Sequence, residues 1–229
     1  MSKSNSRILS QGTSLFRYNI GIDLPVIWDD TYHSPEYANT IYGPKNQIGA
    51  FFFYEQETTA RAVLEIARGN LKGDEDINTN SSITYCHLMT DVKLLDISGW
   101  AYPMQVLRVL IEEGIDVLTN DFVKHDGKDC SFSELKADYD FVISNEEVGL
   151  CSKEGKKIMR AADRINKFFH KEVETRYIGQ LLTDFENGKS FKAQLMVKGF
   201  DGYCFTEEVS PTICIFDSSK LSKPIHKVI

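Results

Sequence analysis

The stretch IGAFFFYEQETTARAVLEIARGNL, residues 48–71, limits the fold more than any other part of this chain. IGAFFFY (48–54) is too apolar to leave one face of a strand wet, so it reads as a buried strand. The residues after it set Ala60, Val63, Leu64, Ala67 and Leu71 at helical spacing, with Thr58 or Thr59 as the N-cap. A buried strand running straight into an amphipathic helix calls for packed layers of both kinds.

The rest of the chain supplies the layers in blocks. LFRYNI (15–20) is a strand, followed by a loop-like stretch carrying Pro25, Pro35 and Pro44 among many Tyr, Asp and Asn residues. GDEDINTNSS (73–82) reads as a solvated loop, and ITYCHLM (83–89) and VKLLDI (92–97) as strands. From residue 99 to about 195 the pattern is mainly helical. PMQVLRVLIEEG has Pro103 in its first turn and Gly114 as a stop, and a later helix carries Ile158, Ala162, Ile165, Phe169 and Val173 on one stripe. Within this third YDFVI (139–143) reads as a short strand. The chain then returns to strands, with AQLMV (193–197), GYCF (202–205) and TICIF (212–216). Strands, then helices, then strands predict an α+β architecture rather than alternating β-α units, in a single domain spanning 1–229. Neither G-x-G-x-x-G nor G-x-x-x-x-G-K-[ST] occurs, so the sequence offers no Rossmann or P-loop nucleotide site.

Composition narrows the function. A formal net charge of −7 weighs against a broad phosphate-neutralising surface, which needs clustered Lys and Arg. Cys86, Cys130, Cys151, Cys204 and Cys214 are odd in number and form no C-x-x-C pair, which points to neither a zinc site nor a disulfide framework. Cys86, Cys204 and Cys214 lie in apolar or alternating runs and read as core residues of a reducing compartment. No signal-like segment opens the chain and no run approaches the ~20 apolar residues of a membrane span, so a cytoplasmic protein is expected.

Few residues stand out chemically. Arg17, in the middle of LFRYNI, must face solvent, pair with a carboxylate or hold an anion, because a buried unpaired guanidinium is too costly. Glu207 and Glu208 follow the compact turn GFDG and precede the apolar TICIF. Two acids there solvate a turn, or one of them stabilises developing positive charge as carboxylates do for oxocarbenium-like sugars. Glu65 falls off the apolar stripe of its helix, within pairing reach of Arg61 and Arg68. His87 reads as structural, while His33, His125, His170 and His226 are scattered and suggest no metal cluster. Tyr32 and Tyr37 line a pocket or pack a surface lid.

The order of these elements carries more than any of them alone. LFRYN, then IGAFFFYEQETTARAVLEIA, then ITYCHLMTDVKLLDIS, then GFDGYCFTEEVSPTICIFDSSKL resembles the ADP-ribosyltransferase-like superfamily over roughly residues 13–98 and 195–226. The resemblance implies a split mixed β-sheet core, with the helical stretch at about 99–195 as an insertion. It also implies that NAD is consumed as a substrate, with Arg17, Tyr18, Gly49, Phe51, Tyr54 and Thr206 along the bound dinucleotide. ADP-ribosyltransferases of the Arg-Ser-Glu kind place the catalytic acid just before the last strand, here Glu208 or Glu207, though their Ser-Thr-Ser triad is replaced by GAFFFY. The related RES family of NAD-degrading toxins takes its acid from the helix, here Glu65, and a Ser where this chain has Thr206.

Either likeness implies cleavage of the bond between nicotinamide and ribose. Nicotinamide departs neutral from a cationic ring, so no general acid is required; the site supplies grip on the diphosphate and a negative charge beside the oxocarbenium-like carbon. Transfer to a macromolecular target, a protein rather than a nucleic acid, makes a toxin or effector, delivered to a host or competitor cytosol and silenced by an immunity protein or antitoxin. Transfer to water makes a glycohydrolase toxin. Loss of catalysis would leave a binding module of the same fold.

Overall fold

The computed structural model describes residues 5–20, 28, 49–70, 81–98, 103–115, 123–125, 128–130, 132–145, 149, 151–171, 188–207 and 210–229. In chain order its elements are β1 (Ser6–Leu9), β2 (Ser14–Ile20), β3 (Phe51–Phe53), α1 (Glu57–Asn70), β4 (Ser81–His87), β5 (Val92–Asp96), α2 (Pro103–Glu112), β6 (Val123–His125), β7 (Lys128–Cys130), α3 (Phe132–Ser144), α4 (Lys153–Lys171), α5 (Gly188–Val197), β8 (Gly202–Glu207), β9 (Ser210–Ile215) and β10 (Ile225–Val228). The fold is α+β, as the blockwise order of the sequence predicts.

Three sheets form. A five-stranded sheet runs in the order β1-β5-β8-β9-β3, a three-stranded sheet in the order β10-β4-β2, and β6 pairs with β7. In the large sheet only β5 and β8 are parallel, with Leu94 opposite Gly202 and Asp96 opposite Cys204. That pairing explains the long helical stretch between them, because parallel neighbours need a crossover. The small sheet is antiparallel throughout.

Side-chain alternation divides the molecule into layers. Leu95, Tyr203, Phe205 and Cys214 of the large sheet face the helices and share a core with Leu107 and Leu110 of α2, Leu135 of α3, Ile165 of α4 and Phe191 and Leu195 of α5. Leu94, Cys204, Ile213, Ile215, Phe51 and Phe53 face the other way and pack with Leu15, Cys86 and Leu88 of the small sheet. Trp28 closes that second core, meeting Phe51 and Phe53 edge-on and donating its indole N–H to the carbonyl of Ser222 at 2.7 Å. On the far side of the small sheet, Ala60, Val63, Leu64 and Ala67 of α1 cover Tyr54, Ile83 and Ile20. The order of layers is thus helices, large sheet, small sheet, α1.

Several expectations need correction. AQLMV is the end of α5, not a strand: Phe191 and Leu195, four residues apart, are fully buried while Ala193 and Met196 face solvent. YDFVI lies inside α3, where Leu135 is buried and Tyr139 packs against the same core one turn on. Both runs are too short for their period to distinguish strand from helix. Helix α1 begins at Glu57, ahead of both threonines expected to cap it. Strands β1 and β10 and the β6–β7 pair were not anticipated; SRIL and IHKV are short edge strands that show little alternation. Of the predicted α4 stripe, Ile158 and Ile165 are buried, Ala161 is buried in place of Ala162, and Val173 lies outside the described residues. The Pro- and Tyr-rich stretch with Tyr32 and Tyr37 also lies outside them. Among the described residues, no helix is long and apolar enough to cross a membrane.

Candidate functional site

In β2, Leu15 is fully buried between the two sheets, so Arg17 and Asn19, two and four residues on, share its inward face. Phe16 and Tyr18 take the opposite face, toward α1. The register sets Arg17 directly across from Thr84 of β4, and Thr84 in turn across from His226 of β10. A single row thus crosses all three strands: arginine, threonine, histidine.

Hydrogen bonds join this row to its neighbours. The Asn19 side-chain amide donates to Thr84 Oγ1 at 2.7 Å and to Ser82 Oγ at 3.1 Å, and Thr84 Oγ1 lies 2.6 Å from Nδ1 of His226. Asn19, Ser82 and Thr84 are buried. Arg17 is close enough to act on the Cys86 thiol: burial pushes that thiol up to about 12, and the guanidinium pulls weakly the other way. Cys86 is therefore a protonated core residue at neutral pH and no nucleophile.

A second polar cluster lies on the large sheet. Nη2 of Arg7 meets both carboxylate oxygens of Glu55 at 2.7 Å, and the pair is about one-third exposed on each side. Nearby, Asp96 Oδ1 accepts from Ser98 N at 3.0 Å, Ser98 Oγ at 2.6 Å and Cys204 Sγ at 3.1 Å. Burial works to raise the Asp96 pKa, but those donors and the Arg7 charge outweigh it, and the carboxyl is held below its ordinary value. Cys204 goes the other way: burial first, then the Asp96 charge and hydrogen bond, push its thiol up to about 12. The hydroxyl of Thr206 donates to the Ser98 carbonyl.

The remaining predicted positions fall as follows. Gly49 has a φ of 61°, in the left-handed region that favours glycine, and its carbonyl accepts from Lys192 of α5. Phe51 is a core residue between the sheets, and Tyr54 is buried, exchanging backbone hydrogen bonds with Phe16 at 2.8 and 2.6 Å. Tyr18 is half-buried against α1. Glu207 ends β8 in register with Ser210, and Glu208 lies outside the described residues. Glu65 is 67 % exposed and pairs with Arg68 at 2.7 Å, and Arg68 in turn bonds Ser81 Oγ at the start of β4. It sits on the side of the small sheet opposite Arg17.

The structure thus brings Arg17 together with residues that sequence reasoning passed over: Asn19, Ser82, Thr84 and His226. A signal for them existed. Arg17 and Asn19 of LFRYNI, and Ser82 and Thr84 of SSIT, each stand two positions apart, but without the register nothing showed that the two runs share a face. No family model matches this chain, and neither a curated protein nor a solved structure is significantly similar to it.

Proposed function

We propose that this chain is an NAD-consuming enzyme of the ADP-ribosyltransferase-like superfamily, with a split mixed-sheet core, that cleaves the nicotinamide–ribose bond and transfers ADP-ribose to a protein target as a toxin or effector. The observation that supports it is Arg17. Its place in the middle of a strand, on the inward face and beside a buried polar network, suits a guanidinium that takes part in binding an anionic ligand. The diphosphate of NAD fits that role. Stabilisation of the oxocarbenium-like carbon falls to Glu208 or Glu207, next to Thr206 at the end of β8. The acid of a RES-like glycohydrolase is less well supported, because Glu65 faces solvent across the small sheet from Arg17 and is engaged by Arg68. An enzyme of this kind acts in a cytosol and needs an immunity protein or antitoxin in the cell that makes it.

The test is incubation of the purified chain with NAD labelled in its adenylate portion, with and without cell lysate, following nicotinamide and label. Nicotinamide release with label on a lysate protein is the expected result. Arg17→Ala should reduce release at least ~100-fold, and Glu208→Gln or Glu207→Gln, whichever is the acid, by a similar factor. Glu65→Ala should stay within about twofold of the parent, as for loss of an exposed ion pair. Free ADP-ribose alone, with Glu65→Ala inactive, would assign the glycohydrolase chemistry instead. No release at all from a folded chain would leave a binding module.

A further inference from the structure

Helix α4 is charged unlike the rest of the chain. From Lys153 to Lys171 it carries seven Lys and Arg against two acids, Glu154 and Asp163, an excess of five positive charges. The whole chain stands at −7, so everything outside α4 sums to −12. Ser152 starts the helix, its hydroxyl accepting the Gly155 N–H at 2.8 Å, and Gly155, Ile158, Ala161 and Ile165 are buried against the protein. That spacing turns Lys153, Lys156, Lys157 and Arg160 to solvent within about 10 Å of helix. Met159, beside Lys156 and Arg160, is 54 % exposed.

Solubility alone does not account for this face. On α1, α2 and α3 exposed charges stack attractively, Arg61 with Glu57, Arg68 with Glu65, Arg108 with Glu112 and Lys136 with Asp140. On α4, Lys157 meets Glu154 and Arg164 meets Asp138 of α3. The neighbours four residues apart are nevertheless like charges: Lys153 and Lys157, Lys156 and Arg160, Arg160 and Arg164. Among the described residues, Lys153, Lys156 and Arg160 have no ion-pair partner. Like charges one turn apart oppose the helix, and Lys153 and Lys156 stand at its N-terminal end, where the macrodipole favours acids. An acidic ligand offsets both costs.

The surroundings select the kind of ligand. A nucleic-acid strand or an anionic bilayer extends well past two helical turns and meets a chain that is strongly negative outside α4. A short acidic segment of a protein ends where the basic face ends. Met159 offers such a segment an adaptable apolar contact, for which a phosphate backbone has no use. We propose that the outer face of α4, through Lys153, Lys156, Arg160 and Met159, docks a short acidic segment of a partner protein, with its carboxylates spaced about one helical turn apart. This surface stands independently of the NAD chemistry proposed above.

The experiment measures binding of the full-length chain to three probes: a labelled peptide with glutamates one helical turn apart around a central leucine, a single-stranded oligodeoxynucleotide of equal charge, and phosphatidylcholine vesicles containing about one-third phosphatidylserine. The parent should bind the peptide more tightly than the other two, and less tightly as salt is raised. Arg160→Glu should weaken peptide binding at least about fivefold and Lys156→Gln about threefold, while Lys223→Glu, at an exposed lysine outside α4, should stay within about twofold. Arg160→Glu also turns its repulsions with Lys156 and Arg164 into attractions, so it should melt no lower than the parent. Lys156→Gln, which leaves every ion pair of α4 in place, decides the matter where Arg160→Glu does not fold. A folded parent that does not bind the peptide, or binds it as well in both α4 variants, overturns the proposal and leaves a solvated face. Oligonucleotide or vesicles bound more tightly than the peptide, and lost in Arg160→Glu, overturn the choice of a protein segment.

Discussion

Asp96 is a carboxylate kept ionised in a half-buried place by what donates to it. Ser98 supplies its backbone N–H and its hydroxyl, Cys204 its thiol, and Arg7 a nearby charge. Because the folded pKa is depressed, the ionised form stabilises the fold above the ordinary carboxylate value. That contribution is lost as the pH falls through the folded pKa, below about 4. Ser98→Ala removes the shortest of these donors and should destabilise the chain by about 1 kcal/mol at pH 7. The difference from the parent should shrink as the pH is lowered from 7 through the folded pKa of Asp96, as read by chemical denaturation over a series of acid pH values. A difference that stays constant until the chain unfolds would mean that the hydroxyl acts independently of the charge. None of this was legible in VKLLDIS, where Asp96 looks like the polar end of a strand; its donors come from residue 98 and from residue 204, far along the chain.

Between β5 and β9, strand β8 depends on a glycine. A Cβ added at Gly202 would stand 1.8 Å from the carbonyl oxygen of Cys214 and 3.1 Å from Leu94 Cδ2. Backbone on one side and a core side chain on the other leave no direction in which to yield. Gly202→Ala should therefore cost about 3 kcal/mol or more, in a denaturant titration, although alanine is the smallest possible change. A loss under about 1 kcal/mol would show that the strands separate more easily than their packing indicates. Gly199 acts differently: at a φ of 75° it ends α5, with its own N–H bonding Met196 O and that of Phe200 bonding Leu195 O. Both glycines are visible in GFDGY as marks of a tight backbone. Their separate tasks are not, because the helix before them was hidden in AQLMV.

The helical stretch is structurally part of the sheet at the scale of the whole molecule. Phe191 is fully buried and meets Tyr203 of β8 edge-on, with ring centroids 5.1 Å apart, while α2, α3 and α4 add Leu107, Leu135 and Ile165 to the same core. Phe191→Ala should remove about 3–5 kcal/mol and lower the stability of helices and sheets together, in one transition seen alike by far-UV and near-UV circular dichroism. Two separate transitions, with the sheet signal unmoved, would mean that the helices fold as an independent insertion. A helical segment that covers one face of a sheet becomes as necessary to the core as the strands themselves.

The sequence by itself determined the α+β class, the two long strands around Arg17 and His87, the buried strand leading into α1, and the burial of Cys86, Cys204 and Cys214, because each of these is written in a local period or in local composition. It also singled out Arg17, since an arginine in the middle of a strand must face solvent, pair or hold an anion, a buried unpaired guanidinium being too costly. Only the tertiary structure decided which residues Arg17 works beside. Thr84 and His226 are 67 and 209 residues away from it in sequence, and join it through the register of three antiparallel strands. Register is fixed by which faces are buried against the large sheet, and that is a property of the packed layers that no single segment carries.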